Sequence, residues 1–171
     1  MRPPPPPASA HPTPRDPADR RTAGVIAPPP LLPLAVLLLA EALRWWQPVP
    51  MPGALAWRLL LAAIVGGGAL LVVVWAVREL RRARTPVEPW KATRTIVATG
   101  PYAWSRNPIY VAFLGVQLAW AWGRGDAWPL LLLPLTIILL GWGVIGREER
   151  YLAARFGAPY DAYRQRVRRW I

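Results

Sequence analysis

The 171-residue sequence contains no cysteine, which excludes disulfides, thiolate metal sites and cysteine nucleophiles. Histidine occurs once, as His11, in a proline-rich stretch with nothing nearby to hold an imidazole rigidly. Imidazole acid–base chemistry and histidine-ligated metals are therefore not expected, and no metal site is assigned. Lysine is also single, Lys91, so arginine carries almost all of the positive charge behind the net +12. There is no Gly-x-Gly-x-x-Gly turn and no Walker loop, and the glycine triplet at 66–68 lies inside an apolar stretch, so a soluble nucleotide-binding fold is not expected. The basic residues interrupt long apolar segments and do not interleave with aromatics, which argues against nucleic-acid binding. Setting topology and holding anionic lipid headgroups are the roles left to them.

What the chain has in quantity is apolar surface: 54% of its residues are hydrophobic and 11 are tryptophan. That composition reads as an integral membrane protein of all-α class with about four transmembrane helices and a cytoplasmic C-terminal helical extension. Residues 1–30 hold half of the 22 prolines and are expected to form a disordered tail, leaving a membrane domain over 31–171. The spans are expected at 31–46, 59–77, 108–122 and 128–145, and the C-terminal helices over 146–171. Asn107 and Pro108 suit the cap and first turn of the third span. Glu41 and Arg44 lie three apart on the first, where they could pair. Ala62, Gly66 and Gly67 on the second allow close helix packing.

Charge asymmetry orients the bundle. Residues 78–107 carry seven basic against two acidic side chains and residues 147–171 seven against three, while the opposite loops contain only Arg124 and Asp126. Both termini and the long middle loop are therefore expected in the cytoplasm. Trp45, Trp46, Trp57, Trp120, Trp122 and Trp128 would mark one interface, and Trp75, Trp104 and Trp142 the other. After the fourth span, Gly157 and Pro159 should end a helix. A last basic helix over 160–170 should then lie on the membrane surface, with Tyr160, Tyr163, Val167 and Trp170 on one face; a lid over a site is the alternative. The preference for arginine over lysine, with abundant alanine and proline, points to a GC-rich bacterium and hence to its inner membrane.

Two polar cassettes carry the chemistry: G-P-Y-A-W-S-R-N-P-I-Y at 100–110, leading into the third span, and R-E-E-R at 147–150, following the fourth. A hairpin of these two spans brings the cassettes to one surface. Arg106 and the start of the third helix would supply positive potential, Glu148 and Glu149 negative potential, and Tyr102, Trp104 and Tyr110 flat faces that attract cations. Interfacial salt bridges are the bland account of these charges; a zwitterionic cofactor with an aromatic base is the functional one.

The run T-I-V-A-T-G-P-Y-A-W-S-R-N-P-I-Y, followed by E-E-R-Y-L-A-A-R-F-G-A-P-Y-D-A-Y-R-Q-R-V-R-R-W, resembles the isoprenylcysteine carboxyl methyltransferase family, with more distant similarity to membrane phospholipid N-methyltransferases. The resemblance implies an S-adenosylmethionine-dependent methyltransferase acting on a lipophilic, membrane-embedded acceptor. It further implies cofactor contacts from Thr95, Ile96, Val97, Tyr102, Asn107, Pro108, Ile109, Tyr110 and Glu148, with Arg106 and Glu149 beside them as the candidate catalytic pair. Methyl transfer from a sulfonium needs alignment and desolvation more than a nucleophilic side chain, which suits a chain without cysteine. The sequence departs from the family pattern at Asn107, where histidine is usual, at Ala112, where glycine is usual, and at Val144, where eukaryotic members carry arginine. A membrane reductase using a nicotinamide cofactor and a non-catalytic membrane adaptor are the rival readings.

Overall fold

The computed structural model describes Gly24, Val25, residues 27–88 and residues 91–171. Regular structure among them is helical, and strand-like pairing is limited to two isolated bridges, Pro50 with Asp126 and Ser105 with Arg168. Helix α1 spans Leu31–Trp46, at the expected bounds. Residues 1–23 and residue 26, most of the proline-rich tail expected to be disordered, lie outside the described residues. The turn before α1 is formed by Leu31 N–H donating to Pro28 O, and Val25 packs against the core around Tyr110.

Helix α2, Leu55–Arg82, runs past its apolar centre in both directions. Arg81 and Arg82 in its last turn complement the negative end of the helix dipole, which favours the extension. Its 28 residues cover roughly 42 Å at 1.5 Å per residue. Among the described residues it is the one helix long and apolar enough to cross a membrane. Only Ala69, Ala76 and Glu79 on it are buried, whereas Ile64, Leu70 and Leu71 are 60–70% exposed. Its large apolar side chains thus face outward, an arrangement that water would penalise at about 25 cal/mol per Å².

Small residues join α2 to helix α3, Pro108–Arg124. A Cβ on Gly66 would meet the Ala119 Cβ at 3.3 Å, and one on Gly115 would meet the Ala69 Cβ at 3.1 Å. Gly66 therefore serves packing, while Gly67 faces open space. Pro108 occupies the first turn of α3 as anticipated, but Asn107 makes no side-chain cap. Its amide is drawn instead to the C-terminal segment. Gly125, in the left-handed region, ends the helix.

The fourth apolar stretch is not one uninterrupted span. It comprises α4, Trp128–Leu131, then α5, Leu133–Leu140, and a π-turn at Gly141–Ile145. Pro134 lacks an N–H and crowds the preceding turn, which breaks the helix at Leu132. Gln117 on α3 repairs the break: its amide donates to Pro129 O at 2.8 Å and accepts from the Thr136 hydroxyl at 2.7 Å, both side chains being fully buried. Helix α6, Gly146–Phe156, continues from the π-turn and stops at Gly157 as expected. Helix α7, Ala158–Arg166, is shorter than anticipated, because the chain becomes extended at Val167 and no helix reaches Trp170.

Candidate active site

Three helix ends meet at one end of the bundle: the last turn of α2, the first turn of α3 and the start of α6. Past α2, Arg84 takes a left-handed conformation, and this reversal lets Thr85 N–H donate to Leu80 O. The buried Thr85 hydroxyl accepts from Thr95 N–H at 3.3 Å and lies 3.5 Å from Thr95 O, to which it donates. On the other side Thr93 N–H donates to the Tyr151 hydroxyl, and Arg155 Nε donates to Thr93 O at 2.7 Å. The loop at 93–95 is thus pinned between α2 and α6.

The first cassette begins at Gly100, whose φ of +58° and close neighbours leave no room for a side chain: a Cβ there would lie 2.8 Å from both Glu79 Cγ and Trp75 Nε1. A single 3₁₀ turn, Gly100–Ala103, then brings Tyr102 onto the wall of a cleft of about 840 Å³ including its mouth. The Tyr163 hydroxyl on α7 fixes that turn by donating to Tyr102 O at 2.8 Å.

All nine residues expected to contact a cofactor border this cleft: Thr95, Ile96, Val97, Tyr102, Asn107, Pro108, Ile109, Tyr110 and Glu148. Arg106 borders it too; Glu149 does not. The adjacent glutamates have opposite surroundings. Glu149 is held by Arg106 Nη2 at 2.8 Å and by the Arg169 guanidinium, whose Nε lies 3.2 Å from Glu149 Oε1. Glu148 accepts one hydrogen bond, from the Tyr110 hydroxyl at 2.7 Å, and no cation among the described residues pairs with it. Burial pushes its carboxyl up to about 7; the Tyr110 bond opposes this and the charge of Glu149 adds to it. Burial likewise raises the phenols of Tyr102 and Tyr163, so both remain protonated at neutral pH. Arg106 is nearly enclosed, at 10% side-chain exposure; it also donates to Arg164 O, and its buried Nε–H has no partner among the described residues.

The C-terminal segment runs beside the cassette as a strap. Arg106 N–H donates to Arg168 O, the Asn107 amide donates to Arg169 O at 2.9 Å, and Trp170 packs on the cluster of Tyr110, Leu140, Val144 and Ile145. Asn107 therefore borders the cleft while its side-chain nitrogen clips the strap. Arg169 and the wall residue Tyr151 escaped the sequence reading as site components, whereas Trp170, Tyr160 and Tyr163 entered it only through the lid alternative. The last two were recognised as one helix face, but that face turns inward: Tyr160 is 1% and Tyr163 5% exposed. α7 closes one side of the cleft instead of resting on a membrane surface by that face. The signal available was the i, i+3 pair of tyrosines, too large and apolar to leave unpartnered.

The class defined by these features is an all-helical bundle with outward apolar faces and an aromatic-walled, carboxyl-bearing cleft at its helix ends. The phospholipid methyltransferase family model matches residues 57–159, and the chain belongs to that family. It is thus a membrane-associated methyltransferase in type, and its kinship is drawn through the phospholipid enzymes. The match spans both cassettes and stops just before Tyr160. The chain is 36% identical over 63 residues to an uncharacterised protein of Haemophilus influenzae, covering 37% of this chain and all of that one. No solved structure matches.

Proposed function

We propose that the protein transfers a methyl group from S-adenosylmethionine to a lipophilic acceptor that reaches the cleft from the bilayer. The observation that carries this reading is Glu148, a half-buried residue whose desolvated carboxyl faces a tyrosine-lined cleft with no cation paired to it among the described residues. Such a group is suited to a ligand that brings positive charge, and the family supplies the chemistry. The orphaned Nε–H of Arg106 complements it as a donor toward an anion, so the residues present fit an amino-acid zwitterion next to an aromatic base.

S-adenosylmethionine supplies an electrophilic methyl on a sulfonium. The chain's own residues bind and orient it. Glu148 and the faces of Tyr102 and Tyr110 attract the cationic part, while Thr95, Ile96 and Val97 line the cleft on the loop side. The packed walls exclude water, so alignment and desolvation provide the rate enhancement. Glu149, neutralised by two arginines, braces Arg106 and the C-terminal strap. In this reading α1, α2, α3 and the α4–α5 unit are four passes through a bacterial inner membrane, and the cleft and both termini face the cytoplasm, consistent with the excess of arginine at that end. Where eukaryotic members of the isoprenylcysteine type carry an arginine, Val144 is buried in the core. That substitution favours an acceptor whose reacting group is uncharged over a carboxylate.

Isothermal titration of the purified protein in detergent tests the proposal. Saturable binding of S-adenosylmethionine is expected, with NADPH failing to bind, and no binding at millimolar cofactor would overturn it.

A further inference from the structure

Glu79 is an anomaly in the last turn of α2. A negative side chain is disfavoured at the C-terminal end of a helix dipole, and a carboxylate at 9% exposure is disfavoured again by burial. Helix stability therefore does not explain it. Its two oxygens are divided: Oε1 accepts from Arg82 Nη1 at 2.8 Å, and Oε2 accepts from the Thr99 hydroxyl at 2.8 Å. One turn earlier, Trp75 stands edge-on to Trp104 with ring centroids 6.0 Å apart. Trp75 and Glu79 together form a slot that Gly100 fills with no space to spare.

We infer that Glu79 is a positioning residue for cofactor binding, acting through the Thr99 hydroxyl and the Gly100 turn to hold Tyr102 on the cleft wall. The inference rests on the methyltransferase reading and adds to it a residue that does not itself line the cleft. Tyr102 N–H donates to Thr99 O, so the residue that Glu79 grips is also the one that closes the turn bearing Tyr102. Without the grip, the turn keeps the Tyr163 hydrogen bond on its far side and, on the α2 side, the edge contact of Trp104 with Trp75. The first cassette is thus registered against α2 as well as against α3, its own continuation.

The test compares Glu79→Ala, Glu79→Gln, Thr99→Val and the Glu79→Ala/Thr99→Val double variant in the full chain. Titration with S-adenosylmethionine and amide hydrogen exchange are the readouts. Glu79→Ala is expected to weaken binding about tenfold and to speed exchange at Tyr102, leaving amides in the middle of α3 protected. Glu79→Gln keeps an acceptor for Thr99 and should restore affinity to within about twofold of the unaltered chain. Thr99→Val should match Glu79→Ala, and the double variant should be no worse than either. Additive losses, failure of Gln to restore binding in a protein with native exchange, or a Glu79→Ala protein with undiminished affinity would each overturn the inference alone. An unaltered chain that binds no S-adenosylmethionine would overturn the methyltransferase reading and this inference together.

Discussion

The two ends of the bundle treat their acidic residues differently. At the end away from the cleft, Asp126 is 2% exposed and accepts from Val49 N–H at 2.8 Å and Trp128 N–H at 3.0 Å, so it ties the α1–α2 loop to the start of α4. Glu41 there accepts from Trp120 Nε1 at 2.7 Å and pairs with Arg124 at 3.0 Å, which joins α1 to α3. At the cleft end Glu149 follows the same pattern, but the half-buried Glu148 keeps one phenol and, among the described residues, no cation. A buried charge whose partners lie within the fold holds the fold together. One whose partner is missing costs stability and implies a ligand.

The contrast breaks most sharply by exchanging the two kinds of carboxyl for neutral groups. Glu148→Gln is expected to weaken S-adenosylmethionine binding about 100-fold, the loss of a buried cation–carboxylate contact, as read by calorimetric titration. Its stability should move the other way. The Glu148 carboxyl is pushed up to about 7 in the folded chain, so its favourable contribution is fully present below pH 4.5 and lost as pH rises through 7. At pH 8 the Gln variant should therefore melt above the parent in detergent; a lower melting temperature there would contradict the proposed cost of the free carboxylate. Asp126→Ala should do the reverse. It leaves two amide donors unpaired, costs about 3 kcal/mol of stability and leaves cofactor affinity within about twofold of the parent.

A smaller effect comes from pH alone. Cation binding requires Glu148 ionised, so affinity for S-adenosylmethionine should rise as pH is raised from about 6 to 8 and level off above; a flat profile would place the cation elsewhere. The smallest expected change is at Asn107. Replacing it with Ala removes one donor to Arg169 O and should loosen the C-terminal strap by about 1 kcal/mol. Faster proteolysis at the C-terminus with affinity reduced no more than about fivefold is the expected outcome. A larger loss of affinity would make the Asn107 side chain a cofactor ligand instead of a clip.

The elements were legible where local chemistry decides them. Leu31–Trp46 and the stop at Gly157 follow from apolar runs bounded by turn residues, and the small-residue packing of Gly66 follows from the lack of a Cβ. The fourth span was misread as continuous because hydropathy does not register the break at Leu132 before Pro134, and the Pro129 carbonyl there is satisfied by Gln117 from another helix. Glu79 was invisible for a related reason: nothing in R-E-L-R-R indicates that one glutamate faces Gly100, twenty-one residues downstream. The inward turn of Tyr160 and Tyr163 depended on the angle between α6 and α7, set by the backbone at Gly157.

By itself the sequence determined what the protein can do without: it has no cysteine, and its one histidine, His11, lies in neither polar cassette. It also determined that the two cassettes, separated by a helical hairpin, lie at the same end. The tertiary structure alone decided how the adjacent glutamates divide their roles. They are one residue apart, and on a helix that is a rotation of about 100°, enough to direct Glu149 to Arg106 and Arg169 and Glu148 to the cleft. Charge type is written in the residue, but whether a charge is neutralised depends on which partners the fold brings within a few ångströms.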